Sequence, residues 1–429
     1  MQVLGVSSGP DTAPSSSTDS SALRAPSDRS PSRSSGHGTT AEIQSLPCRA
    51  NIGDDTQVRR HLVEMLSQED LDVRSMPNGV RMIYVGQDFS NIDYLVRHRA
   101  HNKDVYHFPS DRMPRHYTAH EPDRVPSEAF LLPPSTMVNE LLSQYFRHIN
   151  PGCPIVDEET FMTRYKARDT TNPPSLLVLQ SILMVGAHVS QDRSDRDRLK
   201  ATFFRRAKML FDARFERNLD AMVQAALLLT WHSEGIDDVG ANVYHWVGVA
   251  IRIAHGLGMH RDNHCSTLMD HDKRIWRRLW WILVQYDVMI ALAYGRPLAI
   301  NLEDSDVSLL TNSDFEGAVT SLSPEDTEVA ADFTIHHIKL CCILAKALRE
   351  RFGLRVDAEK RQLALQRSDQ LLAEWQIQLP CTLRHGSSYR STWSAMLHIM
   401  YSNILILLHR PAPKPTSIAS GVKPDDVGQ

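Results

Sequence analysis

KRIWRRLWWILVQYDVMIALAYGRPLAI, residues Lys273 to Ile300, decides the fold class. Ile275, Leu279, Ile282, Tyr286, Met289 and Ala293 recur at spacings of four and three, one stripe of an α-helix. Trp276, Trp280, Leu283, Asp287 and Ile290 form a second stripe beside it, so most of the circumference is apolar. A helix of that kind is buried on most sides. Its first turns are basic (Lys273, Arg274, Arg277, Arg278), and it ends at Tyr294-Gly295-Arg296-Pro297. Glycine there suits a left-handed cap, and the proline that follows cannot continue the helix. A Trp-rich basic entry and a lone Asp287 in an apolar run both require explanation.

Outward from this helix the same periodicity recurs. Asn242 to Gly258 carries Trp246, Val249, Ala250, Ile253, Ala254 and Leu257 on one face, with Gly258 where a C-cap glycine belongs. Val138, Leu141, Leu142, Tyr145 and Phe146 mark a helix that ends before Asn150-Pro151-Gly152, and Asp157 or Glu158 opens a second one. Ser175–Val189, Arg193–Arg214 and Asn218–Trp231 read as three more. A polar loop is expected from Asn301 to Asp326, then helices over Glu328–Phe352, Asp357–Leu379 and Ser391–Arg410. Helix follows helix with no βαβ rhythm, so the expected fold is all-α, a multi-helix domain of nine or ten helices.

Residues 1–47, rich in Ser, Pro, Thr and Gly, predict a disordered tail, because so few apolar side chains cannot offset the entropy of ordering. Residues 48–133 predict a mixed segment and linker. It holds a short helix over Asp55–Leu66, a strand signal at Val80, Met82 and Tyr84, a helix opening at Asp88, and a surface-crossing stretch from Phe108 to Pro134. The regulatory-size helical domain is expected over 134–412, with a disordered tail at 413–429.

Composition narrows the function class. The 429 residues are 42% hydrophobic and 23% charged, with a net charge of −4, which gives no global excess of positive charge for nucleic acid. Cys48, Cys153, Cys265, Cys341, Cys342 and Cys381 are scattered, unlike a disulfide framework, and fit a reducing compartment. Met1 to Pro10 lacks the basic and apolar regions of a secretory signal, and the run from Leu279 to Tyr294 is too short to span a bilayer. A cytosolic or nuclear protein that does not enter membranes is the expectation.

No constellation favours catalysis. His260, His264, Cys265 and His271 could offer metal ligands, but they lack the paired halves of a zinc finger, so solvated or capping side chains are expected. Cys341-Cys342 reads as a pair of buried small hydrophobes, and His336-His337 and His101 lack a local nucleophile or carboxylate. No nucleotide loop, nucleophile elbow or zincin motif occurs, and the chain is not expected to be an enzyme. Arg274, Arg277 and Arg278 with Trp276 and Trp280 could present phosphate contacts and stacking surfaces. Because the helix is apolar nearly all round, tryptophans in the core and arginines paired to carboxylates is the favoured reading. Asp287 is costly if buried alone, and Arg252 or Arg296 is the expected partner.

Several of these residues together carry a resemblance. Ala250-Ile251-Arg252-Ile253-Ala254-His255-Gly256-Leu257-Gly258-Met259-His260-Arg261, then Arg277-Arg278-Leu279-Trp280-Trp281, Tyr286-Asp287 and Gly295-Arg296-Pro297, resemble the fungal-specific transcription factor domain, the middle homology region of fungal zinc-cluster regulators. Pro154-Ile155-Val156-Asp157 with Phe161, Gln224 to Leu229, Trp375 with Leu379-Pro380, and Tyr401 to Pro411 fit in the same order. Phe89 to Arg97 is similar to regulators of the cutinase transcription factor type.

The resemblance implies an all-helical regulatory domain of a nuclear protein that controls RNA polymerase II transcription. It also implies an N-terminal cluster of six cysteines that binds two zinc ions and reads DNA, usually as a dimer. That cluster needs C-x₂-C-x₆-C halves, and before Cys153 only Cys48 is present, so no zinc cofactor is expected in this chain. DNA is then a partner only by family analogy or through another protein, as a homo- or heterodimer. Relatives are also expected to continue past Arg410-Pro411. Three readings follow: a transcription regulator whose DNA-binding cluster is missing from this chain, a co-regulator or decoy that pairs with a full-length relative, and a small-molecule-sensing helical domain or unrecognised enzyme.

Overall fold

The computed structural model describes residues 82–84, 86, 107–109, 125–168, 173–190, 194–233, 240, 242–264, 268–384 and 392–410. The expected tails, the helices over Asp55–Leu66 and from Asp88, and Cys48, His101 and Cys265 lie outside these residues. Among the described residues ten α-helices dominate: α1 (Ser135–His148), α2 (Glu158–Ala167), α3 (Leu176–Val189), α4 (Arg196–Asp212), α5 (Leu219–Leu229), α6 (Val243–Leu257), α7 (Asp270–Tyr294), α8 (Pro324–Glu350), α9 (Ala358–Ile377) and α10 (Thr392–His409). Two three-residue strands, β1 (Met82–Tyr84) and β2 (His107–Pro109), pair antiparallel with Tyr84 opposite His107. The fold is all-α with this small ribbon added.

Local chemistry sets the helix ends. Asp157, Ser175, Asn242, Ser323 and Asp357 each accept a backbone N–H from the first turn of the helix that follows, the N-cap role of short polar side chains. Gly258 (φ 74°) and Gly295 (φ 62°) close α6 and α7 in the left-handed conformation. Two boundaries move outward from expectation. Helix α7 begins at Asp270, where Asp270 and Asp272 sit favourably on the first-turn amides, and α8 begins at Pro324, at a position that needs no N–H.

Helices that are neighbours in sequence pack together: α3 on α4, α5 on α6, α8 on α9, with α1 laid against α3. The last contact is close, since a Cβ on Gly186 of α3 would lie 2.2 Å from the Leu141 carbonyl oxygen of α1. Helix α7 touches α5, α6 and α8. The second stripe, Trp276, Trp280, Leu283, Asp287 and Ile290, is buried throughout, whereas of the first stripe Leu279 and Ile282 are buried, Ile275, Tyr286 and Met289 half-buried and Ala293 exposed. Each buried indole removes on the order of 200 Å² from water, worth about 5 kcal/mol.

The stretch expected to be a polar loop, Asn301 to Asp326, is a loop as far as Ser323, but it sends several side chains into the core. It contains 3₁₀ turns at Leu302–Asp304 and Asn312–Phe315, and it buries Leu310, Asp314, Phe315, Ala318 and Val319. The expected linker before Pro134 likewise contains strand β2 and a 3₁₀ turn at Ser127–Phe130. In both stretches apolar residues too few to show periodicity are buried by neighbours distant in sequence. No helix among the described residues is long and apolar enough to cross a membrane.

Candidate functional site: a buried charge clasp and its adjoining groove

The arginines that open α7 turn inward or along the protein. Arg278 is buried and donates from Nη2 to Asp157 Oδ2 at 3.0 Å, while its Nη1 donates to the Asp314 carbonyl oxygen. Arg277 Nη1 donates to Asp314 Oδ1 at 2.6 Å, and Arg274 lies 3.6 Å from Glu316. Both buried carboxylates also hold backbone. Asp157 caps α2 through Thr160 N at 3.1 Å, and Asp314 accepts Thr311 N at 2.9 Å in a capping box. Burial pulls the Arg278 guanidinium below its ordinary value and Asp157 pushes it back; a guanidinium stays charged under such pressure. The clasp therefore fastens α7 to the start of α2 and to the 301–326 segment.

The tryptophans occupy the core beside it. Trp280 is fully buried and Trp281 donates its indole N–H to the Ser308 carbonyl at 2.8 Å. Tyr286 Oη accepts from Trp231 Nε1 at 3.1 Å. The stacking surfaces and cations that could have served nucleic acid are thus spent inside the protein.

Asp287 is buried, but its partner is not an arginine. Its carboxylate accepts the backbone N–H groups of Ala299 (3.0 Å) and Ile300 (2.8 Å). The Gly295-Arg296-Pro297 turn folds the chain back so that these amides face the helix. Arg252, expected as a partner, lies on the exposed face of α6, and Arg296 is exposed with its guanidinium 5.8 Å from the Tyr244 ring centroid. Burial raises the Asp287 carboxyl above its ordinary value, against the two amides and the nearby Arg349. Arg349 itself donates to Asn301 Oδ1 at 2.6 Å and to the Ile300 carbonyl at 2.5 Å, holding the same segment from α8. Sequence reasoning missed Arg349 because nothing local distinguishes it from other surface cations of α8.

Of the histidines expected to be solvated or capping, His260 is instead buried. It lies against Tyr84 and Trp280, His271 meets Thr160 Oγ1 at 3.0 Å, and His264 is exposed. No three potential ligands converge among the described residues. Cys341 is buried, its thiol pushed far up by burial, and Cys342 is pushed up to about 12 for the same reason. Neither is a thiolate at neutral pH.

Beta ribbon and α6 meet at Gly258. His107 Nε2 lies 3.3 Å from the Gly258 carbonyl oxygen, and the His107 ring meets Trp276 edge-on at 5.4 Å. A Cβ on Gly258 would come within 2.4 Å of the Tyr84 ring and 2.8 Å of His107 Nε2. The glycine is thus required twice, for its left-handed φ and for the ribbon's approach.

Beside the clasp a half-open groove of about 610 Å³ runs between α1 and α2. Phe146 and Met162 line its floor, and Tyr165, Lys166, Arg168 and Ser321 its edges. Glu158, which also lines it, accepts the N–H groups of Thr320 (2.6 Å) and Ser321 (3.1 Å), so one wall is tied to the clasp's own segment. The groove joins the apolar side chains of Leu142, Phe146 and Met162 to the cations of Lys166 and Arg168 and the Glu158 carboxylate.

Comparison with known proteins settles what kind of domain this is. The profile of the fungal specific transcription factor domain matches residues 142–395, more than half of the chain. The chain belongs to that family. It is 50% identical over 377 residues to the acetamidase regulatory protein of Aspergillus oryzae, covering 87% of this chain and 48% of that protein. The acetamidase regulatory protein of Emericella nidulans is 50% identical over 371 residues, 86% of this chain and 46% of that protein. Cutinase transcription factor 1 alpha of Fusarium vanettenii is 37% identical over 354 residues, 78% of this chain and 38% of that protein. The chain spans about half the length of the curated relatives it matches. No solved structure matches it. These relatives are fungal transcription regulators, and the likeness to cutinase-type regulators holds alongside a higher identity to the acetamidase group.

Several residues that carry the family resemblance now have physical roles. Asp157 and Arg278 form the clasp, Gln224 Nε2 donates to the Ile155 carbonyl at 3.0 Å, and Trp375 Nε1 donates to the His336 carbonyl at 3.0 Å. Gly258, Gly295 and Asp287 set helix ends and the returning turn. In this fungal transcription factor domain they are bonds between elements distant in sequence.

Proposed function

We propose that this chain is the regulatory portion of a nuclear transcription regulator that acts on RNA polymerase II promoters of a metabolic gene set, genes for amide use of the kind the acetamidase regulators are named for. The carrying observation is the 50% identity to an acetamidase regulatory protein along 87% of the chain. Sequence reading is assigned to a zinc cluster outside these 429 residues or to a partner protein, because the six cysteines here have no C-x₂-C spacing. The chain itself carries no zinc and no catalytic role in this reading, and it reaches DNA through a dimer or heterodimer. The α7 arginines are committed to carboxylates, which supports the division of labour.

Tethering tests it. The 429-residue chain fused to an unrelated sequence-specific DNA-binding domain should raise or lower transcription of a reporter bearing that domain's sites, relative to the DNA-binding domain alone. A fusion that is expressed, nuclear and without effect would reject the regulatory role.

The groove between α1 and α2 favours a second reading, in which the domain senses a small molecule with an apolar body and an anionic head. A panel of tailed carboxylates should then raise the melting temperature of the wild-type chain and not of Lys166→Glu. No shift with any member would remove this reading.

A further inference from the structure

Away from the clasp, one surface combines exposed apolar side chains with unpaired positive charge. Phe130, Leu131 and Leu132 precede α1 and are 40%, 54% and 45% exposed; Phe215, between α4 and α5, and Leu219, which opens α5, are 37% and 44% exposed. The Phe130 and Phe215 rings meet edge-to-face at 5.3 Å, so the two segments form one continuous face. Arg206 Nη1 donates to the Leu131 carbonyl at 3.0 Å, and Arg205 pairs with Glu128, which fixes the first segment against α4. Arg214, at a φ of 50°, turns the chain so that Phe215 N donates to the Leu210 carbonyl at 3.0 Å. Isolated apolar side chains on a surface need no explanation, but a contiguous patch does.

Charge says what would cover it. Arg214 and Arg217 flank Phe215, both are exposed, and neither guanidinium pairs with a carboxylate of the described residues. Of the nearby carboxylates, Glu128 holds Arg205 and Asp212 holds Lys208, while Glu216 accepts the N–H groups of Arg217 (2.8 Å) and Asn218 (3.0 Å) as well as the Ser175 hydroxyl and keeps its charge. An apolar face beside two exposed guanidiniums, which Glu216 offsets only in part, fits an occupant that is apolar on one side and acidic around it. We propose that the Phe130–Leu132, Phe215 and Leu219 face docks an acidic amphipathic segment of a partner protein, with its apolar side chains on Phe130 and Phe215 and its carboxylates on Arg214 and Arg217. This surface is separate from the groove and from the clasp, and its existence does not depend on which promoters the protein serves.

The probe is a labelled synthetic peptide of about 16 residues with Leu and Phe at helical spacing and Asp or Glu elsewhere, titrated with the full chain by fluorescence anisotropy. It should bind, weaken as salt rises, and lose about tenfold in affinity with Phe215→Ala and with Arg214→Glu/Arg217→Glu. These residues are exposed, so circular dichroism should show both variants folded. A peptide with Lys in place of the acidic residues should not bind. The proposal is overturned by any of four results: no binding at saturating chain, unchanged affinity in either variant, equal binding of the Lys peptide, or a dimer of the chain that Phe215→Ala dissociates. Duplex DNA that competes for the arginines alone, with Phe215→Ala silent, would also overturn it.

Discussion

Arg278 of α7 and Asp157 at the head of α2, 121 residues apart, meet at 3.0 Å with 1% and 4% of their side chains exposed. A pair this buried contributes little net stability when intact, yet breaking it strands a charge away from water. Arg278→Met should therefore cost roughly 3–5 kcal/mol in urea denaturation. Adding Asp157→Asn, which keeps the cap on Thr160, should recover on the order of 1–2 kcal/mol by removing the stranded charge. If the single variant loses less than about 1 kcal/mol, the clasp does not hold the fold.

Asp287 supplies the acceptor for the amides of Ala299 and Ile300. Asp287→Ala leaves the buried Ile300 donor unmet and frees the part-exposed Ala299 donor to water, and should lower stability by about 1–3 kcal/mol. Arg252→Ala and Arg296→Ala, at exposed positions, should stay within about 0.5 kcal/mol of wild type. A large effect of Arg252→Ala would restore the arginine partnership that the fold removes.

Gly258 and Gly295 separate two penalties. Both have positive φ, but only at Gly258 would a Cβ meet other atoms, Tyr84 and His107. Gly295→Ala should cost about 1 kcal/mol for backbone conformation alone. Gly258→Ala should cost at least twice that and speed amide exchange at Ile83 and Phe108 in the ribbon. Equal costs with unchanged exchange would show that the ribbon does not rest on Gly258.

Acid should loosen the core through its histidines. Burial lowers His107, His336 and His337 to about 4, and His337 has no hydrogen-bond partner on either ring nitrogen among the described residues. The unfolded chain takes up these protons near 6.5 and the folded one only near 4. Stability is thus fully present above 6.5 and declines as pH falls from 6.5 towards 4. The loss should be about 1.4 kcal/mol per pH unit for each such histidine. His337→Leu should flatten the profile between pH 6 and 4.5, and an unchanged slope would count against a buried neutral His337.

Much of this was legible in the sequence because it is periodic. Helix after helix is written in 3.6-residue spacing, and short polar residues and glycines announce the ends, as at Asn242 and Gly258. The burial of the α7 tryptophans and the pairing of its arginines followed from a helix apolar on nearly all sides. What the sequence hid is non-periodic or long-range. The 301–323 segment is the loop its composition predicts, but the burial of Leu310, Phe315 and Val319 carries no periodic signature because elements distant in sequence impose it. Asp287 suggested an arginine because side chains carry visible charge, whereas the amides of Ala299 and Ile300 have no sequence signature. The groove and the Phe130–Phe215 face arise from segments that only the fold brings together.

The claim that the α7 arginines serve the fold and not DNA can be measured directly by titrating duplex promoter DNA with the purified chain over a range of salt. Only a weak background should appear, with a slope of binding against salt that does not change in Arg274→Ala or Arg277→Ala, while Arg277→Ala lowers the melting temperature. A tight, salt-dependent complex whose slope falls by about one for each arginine removed would place phosphates on those side chains and contradict the account.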